Sequence, residues 1–409
     1  MGKNRQVPKF RFKGFTDTWE QRKLGECMNS FAYGLNAAAK EYDGMHKYIR
    51  ITDIDDETHN FIQSNLTSPD IDFNMDVSEY KLNVGDIVFA RTGASVGKTY
   101  LYNPNDGDLY YAGFLIRGKV KEDCDAGFIY QNTLTKDYES FIRITSQRSG
   151  QPGVNSKEYA TFRLNIPCKD EQEKISKVLN SLDELFTLHQ RKLEKLKLAK
   201  KALLQKLFPK NGSQFPEIRF KGFTDAWKQR KLGNLYKRVN ERNDGTLGRD
   251  KWISVAKMYF QDPDKVQSNN LDTRTYVMKK GDIAFEGHPN NEFKFGRFVL
   301  NDIGTGIISE LFPIYRPITE YDLDFWKYAI QLERVMAPIF AKSITSSGNS
   351  SNKLDHNHFL NQELLVPNID EQKKIGTLLS ILSKNITLHQ CKLEKLKEMK
   401  RFFLQHMFV

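Results

Sequence analysis

Two blocks of this sequence occur twice, and the duplication constrains the fold more than any other feature. Residues 8–26 and 216–234 are identical at 14 of 19 positions, and residues 166–208 and 366–408 are identical at 22 of 43. Chance does not produce such agreement, so the chain is a tandem duplication. Each half has about 200 residues, which suits one domain joined to one long helix.

The segments between the repeated blocks differ from each other. Residues 27–165 and 235–365 align poorly, apart from the related stretches LNVGDIVFA at 82–90 and MKKGDIAFE at 278–286. A chain of this design makes the same attachment twice and recognises two different targets. Both segments mix short strand-like runs with turns and a few helical stretches, so each predicts a mixed α/β globular domain.

The second repeated block predicts a long helix in each half. Asp170 and Asp370 are placed to cap the helix starts. Seam positions then recur at alternating spacings of four and three residues, which is typical of a coiled coil. These positions are Ile175, Leu179, Leu182, Phe186, His189, Leu193, Leu196, Lys200, Leu203 and Leu207, and in the second copy Ile375, Leu379, Leu382, Ile386, His389, Leu393, Leu396, Lys400, Phe403 and Met407.

Two related helices in one chain pair most simply with each other. An antiparallel pairing with aligned ends brings His189 and His389 face to face near the middle of the seam. We interpret them as a polar pair that sets the register rather than as a metal site. The predicted fold is therefore α/β, with two similar mixed α/β domains separated by two long helices that pair as an antiparallel coiled coil with an internal pseudo-two-fold repeat. The predicted segments are a first recognition domain at 1–165, a first helix at 166–209, a second recognition domain with its linker at 210–365 and a second helix at 366–409.

Composition points to a polyanionic partner. The formal net charge is +11 and the isoelectric point is about 9.2, a balance that favours nucleic acid. The four cysteines form no Cys-x-x-Cys pair, which indicates neither a disulfide framework nor a zinc knuckle and fits a reducing cytoplasm. The first residues contain no signal peptide core, and no apolar run approaches the ~20 residues of a membrane span, so a membrane partner is not expected.

Each divergent segment carries two basic, glycine-rich loops, at 90–99 and 146–157 in the first and at 286–297 and 341–353 in the second. Arg and Lys can read guanine, Asn and Gln can read adenine, and Ser, Thr and glycine amides can hold phosphates. We therefore predict double-stranded DNA as a partner. The predicted DNA-binding residues are Arg91, Thr92, Gly93, Ser95, Lys98, Gln147, Arg148, Gln151, Asn155, His288, Asn290, Asn291, Lys294, Ser346, Ser347, Asn349 and Lys353.

The stretch RTGASVGKTY at 91–100 looks like a nucleotide-binding loop. Gly93 and Gly97 enclose three residues, however, where a phosphate-binding loop needs four, and Lys98 leads into a strand rather than a helix. Other catalytic patterns are also missing from the sequence. It has no Gly-x-Gly-x-x-Gly loop after a strand and no Pro-Pro motif of an adenine methyltransferase. The His-Asn-His tripeptide at 356–358 is a very weak nuclease signal.

The sequence as a whole resembles the specificity subunit of type I restriction-modification systems. The resemblance rests on the duplicated RFKGFTD-x-W-x-QRKLG, the Gly-Asp-Ile strand with its Phe, and the Pro and Asp-Glu-Gln that open each long helix. It implies that the two domains each read one half of a split DNA target. It also implies that the helices set the gap and dock two methyltransferase subunits, and that endonuclease-translocase subunits join the complex.

The resemblance assigns S-adenosylmethionine, ATP and magnesium to those partners, so we predict no cofactor or catalytic residue in this chain and a cytoplasmic location. Two alternatives remain open at this point. One is a stand-alone nucleotide-dependent or HNH-type DNA-processing enzyme. The other is a coiled-coil adaptor with no role on DNA.

Overall fold

The computed structural model describes residues 7–148, 150–210, 212–266, 274–347 and 351–409. The chain forms two compact units. Unit 1 comprises residues 1–192 and 389–409, and unit 2 comprises residues 193–388. None of the helices in the described ranges has an apolar stretch long enough to cross a membrane.

In the part of unit 1 that the structure describes there are ten short strands, three short α-helices and parts of two long ones. The strands are β1 Glu20–Lys23, β2 Met28–Tyr33, β3 Ala39–Glu41, β4 Lys47–Ile49, β5 Thr67–Pro69, β6 Asp86–Ala90, β7 Thr99–Leu101, β8 Leu109–Tyr111, β9 Leu115–Val120 and β10 Arg163–Ile166. The helices are α1 Ala126–Asn132, α2 Lys136–Thr145, α3 Ser156–Tyr159 and α4 Lys169–Lys206, whose last residues belong to unit 2.

Unit 2 repeats this plan with different loops. Its strands are β11 Lys228–Lys231, β12 Tyr236–Val239, β13 Ile253–Ser254, β14 Tyr259–Phe260, β15 Thr275–Met278, β16 Ile283–Glu286, β17 Arg297–Leu300, β18 Gly306–Ser309, β19 Ile314–Pro317, β20 Ile344–Ser347, β21 Asn352–Leu354 and β22 Glu363–Val366. Its helices are α5 Leu323–Ala329, α6 Glu333–Ser343, α7 His356–Asn361 and α8 Ile369–His406, whose last residues belong to unit 1.

A four-stranded antiparallel sheet organises each unit. Its order is β2-β9-β6-β7 in unit 1 and β12-β19-β16-β17 in unit 2. The related Gly-Asp-Ile stretches supply the equivalent inner strands β6 and β16, and every described residue of both strands is buried. Continuous burial explains their apolar composition, because an inner strand covered on both faces has no solvent side. Both units therefore contain the same kind of sheet, although the sequences of residues 27–165 and 235–365 align poorly.

The first repeated block is joined to the start of the long helix in each unit by an ion pair. Arg11 donates two hydrogen bonds to Glu171, at 2.7 and 2.8 Å, and Arg219 does the same to Glu371 at the same distances. Both glutamates are completely buried. A carboxylate without access to water needs such a partner, since its charge would otherwise be uncompensated.

The next residue of the Asp-Glu-Gln motif ties the helix to the recognition domain. The Gln172 side chain accepts a hydrogen bond from the Asp125 amide at 2.9 Å and donates one to the Pro167 carbonyl at 2.9 Å. Gln372 makes the matching contacts in unit 2. The helix starts differ from the prediction, because Asp370 lies within the first turn and Asn368 accepts the hydrogen bond from the Glu371 amide.

The seam prediction for the long helices is confirmed. All twenty predicted seam positions are buried or half-buried. In unit 1, Lys400 of α8 donates to Asp183 of α4 at 2.6 Å, and the Nδ1 atoms of His189 and His389 lie 2.9 Å apart. From the first contact to the second, the residue number rises in α4 and falls in α8. The two helices therefore run antiparallel within this unit.

The histidine pair makes the stability of the seam depend on pH. Burial, and next the charges of His189, Lys192 and Lys392, lower the pKa of His389. The unfolded chain then binds more protons than the folded chain. The contribution of this pair to the free energy of unfolding is therefore complete above the ordinary histidine pKa of about 6.5, and it decreases as the pH falls below that value.

We expect the double variant His189→Asn with His389→Asn to weaken this pH dependence while keeping a polar pair in the seam. Denaturant unfolding at pH 8 and pH 5.5 measures the effect, with wild type as the reference. An equal loss of stability between the two pH values in both proteins would show that other groups cause the dependence.

Candidate nucleic-acid interface

In unit 1 the structure brings the two predicted loops together. The Gly93 amide donates to the Pro152 carbonyl at 3.0 Å, and the Val154 amide donates to the Arg91 carbonyl at 2.9 Å. Thr92 and Gly153 form a bridge between these contacts. The loops at 91–98 and 146–155 therefore make one continuous surface at the end of β6, although about 50 residues separate them in the sequence.

The glycines of the first loop are required by its backbone rather than by a phosphate. Gly93 and Gly97 have φ angles of +81° and +87°, a conformation that other residues rarely adopt. A Cβ on Gly97 would also lie 2.7 Å from the side chain of Ile142. The loop continues into strand β7, as the sequence predicts, and so offers no helix N-terminus to a phosphate.

Arg91 combines a cation with a neighbouring aromatic ring on this surface. Its guanidinium carbon lies 5.0 Å from the centre of the Tyr33 ring, and its amide donates to the Phe114 carbonyl at 3.0 Å. The Tyr33 hydroxyl lies 3.2 Å from Ser156 Oγ. That hydrogen bond, with a smaller contribution from the charge of Arg91, lowers the pKa of Tyr33.

Tyr33 and Phe114 were missed by the sequence reasoning, which looked only for polar and basic loops. Both aromatic side chains are exposed, Tyr33 at the end of β2 and Phe114 in the turn before β9. The sequence does carry a turn signal for Phe114, because this residue directly follows Gly113 and precedes the apolar start of a strand.

Three of the predicted residues in unit 1 have their polar groups occupied by contacts inside the unit. Lys98 donates to the Ile54 carbonyl at 3.0 Å and forms an ion pair with Asp56. Arg148 forms an ion pair with Glu158 and donates to two backbone carbonyls. Asn155 caps helix α3. Of the others, Thr92 and Ser95 are half-buried, and Gln147 and Gln151 are exposed.

Unit 2 also joins its two predicted loops. The Asn352 amide donates to the Gly287 carbonyl at 2.8 Å, which ties the β20-β21 hairpin to the loop after β16. Ser346 and Ser347 lie in β20, paired in register with Lys353 and Asn352 of β21. Asn349 lies outside the described residues. The two units therefore present matching loop pairs, each at the end of the equivalent inner strand.

The loop after β16 carries the remaining predicted residues. His288 Nδ1 lies 3.4 Å from Glu286, and the His288 side chain is 58% exposed. Asn290 stabilises the turn by accepting hydrogen bonds from the amides of Glu292 and Phe293. Asn291, Lys294 and Lys353 are exposed.

The His-Asn-His tripeptide forms the first turn of helix α7. His356 Nδ1 lies 3.2 Å from the Tyr315 hydroxyl, and Asp355 caps the helix by accepting from the His358 amide. Among the residues that the structure describes, no three His, Cys, Asp or Glu side chains are grouped as metal ligands. The contacts of these histidines are thus those of a short, capped helix.

Known proteins resemble this chain in sequence and architecture. A family model described as the type I restriction modification DNA specificity domain matches residues 16–198. The specificity subunit of the type I restriction enzyme MjaVIII of Methanocaldococcus jannaschii is 20% identical over 414 residues, covering 94% of this chain and 91% of the relative. A second protein of that organism, provisionally named as the MjaX specificity subunit, is 24% identical over 225 residues, covering 53% of this chain and 52% of the relative.

Among solved structures, the S subunit of a type I restriction-modification system from M. genitalium aligns with a TM-score of 0.63 at 13% identity. The alignment covers 98% of this chain and 99% of that one. At this identity the likeness concerns the fold alone. Residues 16–198 therefore match the DNA specificity domain of type I restriction-modification systems, and the chain as a whole is similar in sequence to a specificity subunit of such a system and in fold to an S subunit.

Proposed function

We propose that unit 1 and unit 2 each read one half of an asymmetric, split sequence in double-stranded DNA. The observation that carries this proposal is the pair of joined loops at the end of the equivalent inner strand in each unit. The loops share their position and differ in their residues: Arg91 follows β6, whereas Gly287 follows β16. Two surfaces of like position and unlike chemistry suit two unlike half-sites.

The long helices are proposed to fix the unread gap between the half-sites and to bind two methyltransferase subunits, which endonuclease-translocase subunits would join. The helices carry apolar side chains outside the seam that support such docking. Leu188 and Leu388 occupy the same position of the repeat and are 59% and 49% exposed. An exposed apolar residue repeated beside a seam suits an equivalent partner on each copy. We place this assembly in the cytoplasm, where the DNA is accessible.

Chemistry would then belong to the partner subunits rather than to this chain. The polar groups of Lys98 and of the 356–358 tripeptide take part in contacts within their own units, as described above. These contacts support a recognition role over the alternative of a nucleotide-dependent or HNH-type enzyme. ATP turnover by the purified chain that Lys98→Ala abolishes would reverse this preference.

A genome-wide map of methylated adenines tests the proposal. The chain would be expressed with its neighbouring methyltransferase in a host without DNA methylation, and the methyltransferase alone would be the control. We expect methylation at a split motif of two short, unlike half-sites around a constant gap. Soluble, associated subunits that give no chain-dependent methylation would contradict the proposal.

Arg91→Ala should weaken DNA binding and lower its salt dependence. Removing one cation from a phosphate reduces the slope of log K against log salt by about 0.9, because one fewer counterion is released. The matched variant is Lys98→Ala, which removes an equal charge from the same loop. Because the Lys98 ammonium group already contacts Ile54 and Asp56, we expect this variant to lower the unfolding free energy and leave the slope nearly unchanged. DNA-binding titrations at several salt concentrations measure the slopes. Equal slopes for both variants and wild type would show that Arg91 does not bind a phosphate.

A further inference from the structure

An exposed apolar side chain stands in the same turn of both units. Phe114 lies between β8 and β9, and Leu311 lies between β18 and β19; their exposures are 63% and 82%. The sheet registers show that the positions match. Val120 lies opposite Met28 in unit 1 and Pro317 lies opposite Tyr236 in unit 2, and each apolar residue precedes its strand partner by six positions.

Both turns lie beside the joined loops. In unit 1 the Arg91 amide donates to the Phe114 carbonyl at 3.0 Å, so the turn adjoins the first residue of the loop after β6. In unit 2 the Phe285 amide donates to the Pro313 carbonyl at 3.0 Å, which places the turn of Leu311 at the end of β16, where the corresponding loop begins. Each exposed apolar residue therefore lies in a turn that adjoins the loops with the predicted DNA-binding residues.

Single exposed apolar residues are common on protein surfaces and need no explanation by themselves. These two are different because the turns keep an apolar residue at one position while the neighbouring residues change. Arg91 contacts both the Phe114 carbonyl and the Tyr33 ring in unit 1, whereas Gly287 is the first residue after β16 at the corresponding place in unit 2. Apolar side chains on DNA-binding surfaces contact thymine methyl groups or enter between base pairs. Phe is typical of the first contact, and both Phe and Leu are typical of the second.

We propose that Phe114 and Leu311 contact the bases of the DNA, each in the half-site that its own unit reads. The proposal rests on the proposed function and adds to it the residues that make the apolar part of base recognition. Since a phenyl ring and an isobutyl group differ in shape, and their neighbours differ in charge, the pair also contributes to the asymmetry of the target.

The test compares four single variants of the full chain, each assembled with its modification subunits. Phe114→Ala and Leu311→Ala are the test variants. Val84→Ala and Ile318→Ala are the controls, because these side chains are 78% and 48% exposed and lie next to the other end of the same sheets, before β6 and after β19. Fluorescence anisotropy gives the Kd at several salt concentrations for three kinds of duplex. These carry the complete motif found in the methylation map, the motif with one half-site scrambled, or a fully scrambled sequence.

We expect each test variant to bind the complete target about tenfold more weakly than wild type, with little change on the fully scrambled duplex. Each test variant should also discriminate less well between the correct and the scrambled sequence at one half-site only. The affected half-site should differ between the two variants. The salt slope should stay at the wild-type value, because an apolar contact releases no counterions. The controls should bind like wild type.

Three results would overturn the proposal: affinities like those of the controls, an equal loss on the fully scrambled duplex, or a reduced salt slope. Thermal melting and gel filtration of each assembled variant exclude misfolding as the cause of a loss. The outcome is separable from the proposed function. A wild-type complex that prefers no split sequence refutes the proposed function, whereas a wild-type preference that both test variants retain refutes only the role of Phe114 and Leu311.

Discussion

Replacing residues 27–165 with the corresponding segment of another specificity subunit should change one half of the methylated motif and leave the other half and the gap unchanged. The expected effect is complete, with methylation abolished at the original motif and established at a new one. The physical reason is that the joined loops at the end of β6 lie inside this segment, whereas the anchoring residues Arg11 and Glu171 lie outside it.

The donor segment must keep the contacts that seat the domain on the helix. The Asp125 amide donates to Gln172, and the Phe128 ring stacks on Phe408 at 5.3 Å between ring centres. Asp322 and Phe325 make the matching contacts in unit 2. A donor with Asp and Phe at these two positions keeps the helix cap, in which the Asp side chain accepts from the Phe amide, as well as the ring contact, and should therefore dock in the same way.

The methylation map of the chimera is the measurement, and the reciprocal replacement of residues 235–365 is its control, expected to change the other half only. Loss of both half-sites in a soluble, assembled chimera would contradict independent reading by the two units. A change in the gap would show that the recognition domains, and not only the helices, determine the spacing.

Arg11→Ala should lower the unfolding free energy of unit 1 by about 3–5 kcal/mol, because it leaves the buried Glu171 carboxylate without its charge partner. Both oxygens of Glu171 accept from the Arg11 guanidinium, and the glutamate side chain has no exposed surface. Water therefore cannot replace these hydrogen bonds without opening the junction between the first repeated block and helix α4.

Because the chain is duplicated, an equivalent ion pair in unit 2 can be tested in the same way. Arg219→Ala should cause a loss of similar size in unit 2, since Arg219 and Glu371 have the same geometry. Lys13→Ala is the control, because Lys13 is an exposed cation two residues from Arg11. Denaturant unfolding, with fluorescence of the buried Trp19 and Trp227 as local probes, provides the measurement. A loss no larger than that of Lys13→Ala would show that the ion pair contributes little to either unit.

The loops contain contacts that could not be predicted from the sequence. Residue types and glycines predicted four DNA-binding loops, and the structure joins these loops in two pairs. Lys98 and Arg148 have the chemistry of DNA ligands, but their charges face Asp56 and Glu158, which the fold brings within reach. Phe114 was missed for the same reason, because the pairing of β6 and β9 is what places its turn beside Arg91.

The repeats determined most of what the sequence alone could establish: two related domains, two long helices, an antiparallel seam, and His189 facing His389. These follow from local periodicity and from self-similarity, which are properties of the chain read in order. Only the tertiary structure decided which helix end packs on which domain. Phe408 joins Trp19 and Phe128 in unit 1, whereas Phe208 joins Trp227 and Phe325 in unit 2. Both pairings bury the same apolar groups, so composition cannot distinguish them from an exchange of ends, and the choice rests on contacts between residues far apart in the sequence.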